Sequence, residues 1–144
     1  MKISKNGQYA LLSVVDLAMH TENGHESLAH VAARQDIEPR YLGQIFFALK
    51  NAGLVKGVRG KTGGYLLTRS AQELTAGEVV RAVEGDLAPT QCCLGDESSK
   101  NCKTYKGCIT RTLWRKIAHE INDTLDRITI ADIINEYSKG ITAK

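Results

Sequence analysis

The chain has 144 residues, 42% of them hydrophobic and 24% charged, and a net charge of +3. That is enough for one ordinary buried core, read most simply as one or two small modules. No apolar run approaches the roughly 20 residues needed to span a bilayer, and this excludes a membrane-spanning helix. The charge is unevenly spread, since residues 1–70 carry nine Lys/Arg against five Asp/Glu and residues 71–144 carry ten against eleven. Between Arg34 and Arg69 seven basic residues stand against Asp36 and Glu38. A basic segment in a near-neutral chain is the pattern of a nucleic-acid surface or, more blandly, of a solvated face.

The opening MKISKNGQYALLSVVDLAMH breaks its apolar residues with polar ones and is followed by no small-residue cleavage site. It is read as part of the fold, and the protein as cytoplasmic. Leu11, Leu12, Val14, Val15, Leu17, Ala18 and Met19 predict a helix that is apolar around much of its circumference and hence well buried, ending at Glu22-Asn23-Gly24. Ser27 is an N-cap for a short helix over LAHVAARQ. Asp36-Ile37-Glu38 is a tight turn, and Pro39 opens the next helix, PRYLGQIFFALKNAG, which Gly53 closes. Short helix, turn and longer helix make a helix-turn-helix packed through Val31, Ala32, Ile37, Leu42, Ile45 and Leu49. Arg40, Tyr41 and Gln44 stand near the exposed start of its second helix, the part that enters a major groove. There an Arg forks onto guanine and a Gln onto adenine.

LVKGVRGKTGGYLLTRS then reads as strand, glycine-rich turn and strand. Gly57, Gly60, Gly63 and Gly64 permit the backbone angles of the turn. Lys56, Arg59 and Lys61 stand among them, so the hairpin is a basic wing able to reach a phosphate strand or the minor groove. Thr75 and Glu78 have capping-box spacing and open a helix to about Glu84. Residues 85–106 show no periodicity. From Thr110 a clean helical period returns, with Leu113, Trp114, Ile117, Ile121, Leu125 and Ile128 as its stripe. Thr129 and Asp132 open a last short helix to about Tyr137. The long helix has no evident partner within the chain and is expected to pair with its twin. The expected division is a DNA-binding unit at 1–84, a cysteine-containing sensor loop at 85–108 and a pairing segment at 109–144.

All four cysteines, Cys92, Cys93, Cys102 and Cys108, lie in the segment CCLGDESSKNCKTYKGC. A disulfide knot, a redox switch and a metal or iron–sulfur ligand set compete to explain them. In a reducing compartment the knot is disfavoured, leaving ligands or redox groups. Zinc would also suit four thiolates. His20, His25, His30 and His119 are read as ordinary surface histidines. No nucleophile–base constellation or phosphate loop is present, so an enzyme is not expected.

From MKISKNGQYAL through NAGLVKGVRGKTGGYLL to the cysteine loop and RITIADII, the chain resembles the IscR/NsrR/CymR-type winged-helix regulators of bacteria, the Rrf-two family. The stretch RGxxGGYLL is the most family-specific. The resemblance implies a mainly α fold: a winged helix-turn-helix with a two-stranded β wing and a long C-terminal dimerisation helix. It implies a homodimer on a palindromic double-stranded DNA operator, controlled by an iron–sulfur cluster or by redox state. The expected DNA contacts are Glu38, Pro39, Arg40, Tyr41, Gln44, Arg59 and Lys61. Cys102 and Cys108 match two cluster ligands, and the third comes from Cys92 or Cys93. The cluster form, 2Fe–2S or 4Fe–4S, stays open. Arg111 stands where one branch has a ligand histidine, and Gln8 where another has a ligand aspartate. Cys92 and Cys93 together, Asp96, Glu97 or a partner group, or an open iron position remain as resolutions. A cluster-free regulator controlled by thiol oxidation, zinc or a partner protein is the alternative, and an electron carrier a more distant one.

Overall fold

The structure, a computed structural model, describes residues 1–21, 24–95 and 101–142. In chain order its elements are α1 (Lys5–Met19), α2 (Leu28–Gln35), α3 (Pro39–Asn51), β1 (Val55–Val58), β2 (Gly64–Leu67), α4 (Ala76–Glu84), α5 (Arg111–Arg127) and α6 (Ile130–Thr142). Two short 3-10 turns, Gln91–Cys93 and Tyr105–Gly107, lie between α4 and α5.

The local signals act as their chemistry requires. Ser27 Oγ accepts from the His30 amide ahead of α2, and Asp36 ends that helix in the left-handed region at φ 53°. The Glu38 carboxylate accepts from the Arg40 and Tyr41 amides ahead of α3, with Pro39 in the first turn. Thr75 and Glu78 form the reciprocal capping box of α4. Thr129 and Asp132 repeat the arrangement before α6, amide to carboxylate at 2.9 Å and amide to hydroxyl at 3.0 Å. Two boundaries differ from expectation. α1 stops at Met19, before Glu22 and Asn23, which lie outside the described residues, and α6 runs on to Thr142 rather than stopping near Tyr137.

One core joins these elements. Phe46 lies at no exposure among Val14, Leu17, Val31, Leu42 and Leu49, and the expected packing residues Val31, Ala32, Ile37, Leu42, Ile45 and Leu49 are all buried. Ile130, at the start of α6, belongs to the same cluster and is fully buried. α5 is tied back as well: Arg81 of α4 donates to Asn122 and pairs with Asp126, while Asn122 donates to the Leu87 carbonyl. The long helix therefore has a partner in its own chain, against the reading that it has none. Its stripe nevertheless stays open. Ala118 is its one buried residue, Leu113 is 51% exposed, and Trp114, Ile117, Ile121 and Leu125 are only half-covered.

α1 is not buried around its circumference. Ala10, Val14 and Leu17 enter the core, whereas Leu12 and Met19 are exposed and Leu11 and Val15 half-buried. That outer face looks into a groove closed on its other side by Ile133 and Tyr137 of α6. Periodicity could not separate the two faces, because both are apolar.

β1 and β2 pair antiparallel, Val55 opposite Leu67 and Val58 opposite Gly64. A third segment joins them, since Glu26 and Tyr65 form an isolated antiparallel bridge. Of the four hairpin glycines only Gly60 has a positive φ, 128°. Gly64 is needed for close approach, because a Cβ there would run into the Glu26 backbone carbonyl.

Candidate functional site

α3 and the wing carry the expected DNA contacts. The Glu38 carboxylate is occupied by the Arg40 amide at 3.0 Å and the Tyr41 amide at 2.8 Å. It fixes the start of the helix, so base contact would have to come from its neighbours. Pro39, Arg40 and Gln44 are exposed. Tyr41 is half-buried, its ring edge-on to Tyr9 at 5.9 Å and its hydroxyl donating to the Asn6 side chain. It anchors α3 to α1 rather than projecting freely, because a ring so placed gains more from packing than from water.

The sequence reading passed over Phe47, which is 65% exposed. The spacing Arg40, Gln44, Phe47 is i, i+4, i+7 and places all three on one face of α3. That face combines an arginine fork, an amide and an apolar ring, the side-chain types that match guanine, adenine and the thymine methyl. The periodicity was available, but an aromatic pair at Phe46 and Phe47 reads as core until the fold assigns one to each side.

Arg59 and Lys61 stand exposed on the wing turn, and Lys56 on β1. Among the described residues none of these three forms an ion pair, so each is available to phosphate. The turn is held from below by a His25 ring nitrogen bonded to the Thr62 carbonyl. Glu26 beside it receives Arg34 at 3.0 Å, and Arg34 also grips the buried Asp16 of α1 at 2.6 Å. The polar chain Asp16–Arg34–Glu26 thus connects the core helix, the helix-turn-helix and the wing.

The cysteines occupy the segment between α4 and α5. All four are free thiols, Cys102 exposed and the others half-buried. Thr90 Oγ1 lies 3.0 Å from the Cys92 sulfur and 3.4 Å from the Cys93 sulfur, so the adjacent pair turns toward one hydroxyl. Cys93 also lines a pocket with Arg115 and His119 of α5 and Arg81 of α4. The Thr110 hydroxyl, with the Thr110 and Arg111 amides, holds the Cys108 thiol below its ordinary range. Among the described residues no three His, Cys, Asp or Glu side chains gather into a metal-binding group. Four thiolates are nevertheless a donor set that suits iron and sulfide, and the residues that would hold such a group are Cys92, Cys93, Cys102 and Cys108.

The two positions that stand where ligands were expected are otherwise engaged. The Arg111 guanidinium lies 4.5 Å over the Tyr105 ring and donates to the Tyr105 carbonyl at 3.0 Å. Gln8 donates to the Ile3 carbonyl at 3.0 Å. Asp96 and Glu97 lie outside the described residues. His20, His30 and His119 pair with Asp16, Glu26 and Asp123 on their own helices or helix ends, as ordinary surface histidines do.

The model of the Rrf2 family, described as an iron-dependent transcriptional regulator, matches residues 3–136. The chain belongs to the Rrf2 family. It is 37% identical to the HTH-type transcriptional regulator IscR of Serratia proteamaculans over 143 residues, covering 99% of this chain and 85% of that one. Among solved structures, IscR of T. potens superposes with a TM-score of 0.77 at 34% identity, covering 97% of this chain and 90% of that one. CymR of B. subtilis, described as the global cysteine regulator, gives 0.75 at 33% identity, covering 94% and 98%. This Rrf2 protein is a DNA-binding transcription regulator of the IscR type with a winged-helix fold, and its relatives are regulators rather than enzymes. Among the described residues, no helix is long and apolar enough to cross a membrane.

Proposed function

We propose that the chain acts in the cytoplasm as a homodimer on a palindromic operator, its binding controlled by an iron–sulfur cluster held through Cys92, Cys93, Cys102 and Cys108. The proposed organisation is the one read from the sequence: 1–84 for DNA, 85–108 for sensing, 109–144 for pairing. Arg40, Gln44 and Phe47 read base edges, Tyr41 holds the helix in register, and Arg59 and Lys61 contact backbone or minor groove. Glu38 and Pro39 set the angle at which α3 enters.

The observation that carries the regulatory part is the packing of the turn Gln91–Cys93 against α5. The turn that carries Cys92 and Cys93 lies beside the helix with the open apolar stripe, and Cys93 shares a pocket with Arg115, Ala118 and His119. A change at the thiols alters the seat of α5, and the angle of α5 in a dimer sets the separation of the two α3 helices. Since half-sites lie roughly 34–36 Å apart, a small tilt changes affinity. When bound, the cluster supplies thiolate–iron bonds and a one-electron couple; the chain supplies the turn, the pairing helix and the reading heads. The family description as iron-dependent supports this reading.

The test is anaerobic purification, an absorption spectrum, and a count of iron and acid-labile sulfide per chain. Operator binding and sedimentation of the loaded and stripped forms follow. Visible charge-transfer bands, matching iron and sulfide, a dimer, and different operator affinities of the two forms are expected. Equal affinities would defeat cluster control and leave the DNA-binding regulator alone.

A second reading is a cluster-free regulator that uses the thiols directly, and four free thiols, Cys102 among them exposed, favour it. Mild oxidant acting on iron-free protein would then produce an intramolecular or mixed disulfide and change operator affinity. Zinc bound by the same thiols, or a partner protein, would show as zinc content or as co-purification.

A further inference from the structure

Thr90, Thr104 and Thr110 each stand immediately before a helical segment: the turn Gln91–Cys93, the turn Tyr105–Gly107 and α5. A threonine hydroxyl in that position ordinarily accepts an amide hydrogen bond from the first turn. Thr75 does so before α4. None of these three does. Their hydroxyls lie against sulfur instead. Thr90 Oγ1 is 3.0 Å from Cys92 Sγ and 3.4 Å from Cys93 Sγ, Thr104 Oγ1 is 3.6 Å from Cys102 Sγ, and Thr110 Oγ1 is 3.5 Å from Cys108 Sγ. Each of the four cysteines thus has a threonine hydroxyl in reach, although the cysteines occupy separate turns.

Between a thiol and a hydroxyl either group can donate. A cysteine that ligates iron is a thiolate and has no proton to give, so in that state the hydroxyl is the donor. A hydrogen bond to a ligand sulfur withdraws negative charge from it. The reduced cluster carries one more negative charge than the oxidised one and gains more from the bond, so such bonds raise the reduction potential.

We propose that Thr90, Thr104 and Thr110 are positioning residues that donate hydroxyl hydrogen bonds to the cysteine sulfurs of a bound iron–sulfur cluster and raise its reduction potential. This rests on the cluster reading of the previous section. The three hydroxyls make no cap bond to a helix amide and are free to donate to sulfur. The set also gives the adjacent pair, Cys92 and Cys93, a shared donor in Thr90.

The test uses the full chain, reconstituted anaerobically with ferrous iron and sulfide, as wild type, Thr90→Val, Thr104→Val and Thr110→Val, each beside its Ser counterpart. Valine keeps the shape and removes the donor; Thr104 and Thr110 are exposed, so their variants leave the fold intact. Iron and sulfide per chain are counted first, and the midpoint potential is then read by dye-mediated titration with dithionite. The expected result is a lower midpoint in each Val variant at unchanged iron content, with the Ser variants close to wild type. Iron–sulfur stretching bands should move in D2O for the wild type and move less for the Val variants. Unchanged midpoints at equal loading, Ser variants that behave as Val, or wild-type bands indifferent to D2O overturn the proposal. A wild type that binds neither iron nor sulfide overturns the cluster reading itself, and this inference with it.

Discussion

Glu26 and Tyr65 exchange both backbone hydrogen bonds, amide to carbonyl at 2.9 Å in one direction and 2.8 Å in the other. This single bridge docks the wing on the segment that enters α2. The Glu26 carboxylate meanwhile binds Arg34, His30 and the Ser27 amide. Wing position and helix-turn-helix position are therefore one mechanical unit, and they will move together on DNA.

Gly64 makes the bridge possible. Gly64→Ala sets a methyl against the Glu26 carbonyl, and relief requires the strands to separate. The expected cost is about 1–3 kcal/mol of stability. Operator binding should weaken for all sequences alike and with a shallower salt dependence, because the cations of the turn are displaced while α3 is not. Chemical denaturation and binding at several salt concentrations check this.

Arg34 and Arg69 both form ion pairs, with unequal consequences. Asp16 is 4% exposed and takes Arg34 through three hydrogen bonds of 2.6 to 3.2 Å, with Gln35 adding another at 2.6 Å. Arg34→Met leaves that carboxylate buried without its main countercharge, and roughly 3–5 kcal/mol should be lost. Arg69 and Glu78 pair at the surface, so Arg69→Met should cost less than about 1 kcal/mol. Urea midpoints of the two variants, measured together, would show equal losses if Asp16 were adequately solvated.

Glu26 also sets an acid limit. Burial raises its pKa, but the Ser27 amide, His30 and Arg34 outweigh that and hold the carboxyl below its usual value of 4.5. A depressed folded pKa contributes stability that is full above the unfolded pKa and is lost as pH falls through the folded one. Stability should therefore decline below about pH 4.5, and Glu26→Gln should flatten that part of the profile while lowering stability at pH 7. A variant with the wild-type slope below pH 4.5 would exclude Glu26 as a contributor.

On DNA, Arg40→Ala should lose about 1–3 kcal/mol at one base position and relax specificity there. Lys61→Ala should weaken all sequences uniformly and lower the salt slope by roughly one unit. Phe47→Ala should discriminate less between thymine and uracil at the base it touches, a difference of one methyl group. If Arg40→Ala behaves as Lys61→Ala does, α3 is not the reading helix.

Much of this was legible without coordinates. Ser27, Glu38, Thr75 and Thr129 mark helix starts through bonds that reach only three residues, Pro39 does so through its fixed φ, and the cysteine segment stands out by composition. The core positions of the helix-turn-helix follow from a period of 3.6, as does the stripe of α5. What lay beyond reach depends on distant partners. Phe46 and Phe47 are neighbours of the same chemistry, and only the packing of α1 and β2 on one side of α3 buries the first and leaves the second to solvent. Leu11, Leu12 and Met19 look like core until the groove against α6 is seen. The Glu26–Tyr65 bridge, the return of Ile130 to the core and the tie from Arg81 to α5 are long-range contacts, for which local pattern carries no signal. The contacts of Thr90, Thr104 and Thr110 with sulfur reach only two or three residues, but neither periodicity nor composition announces them. The sequence by itself determined which helices and strands form and where they begin, because those follow from short-range bonds and periodicity. Tertiary structure alone decided which of two apolar faces is buried and where the wing and the long helix dock, because such choices depend on what the rest of the chain brings alongside.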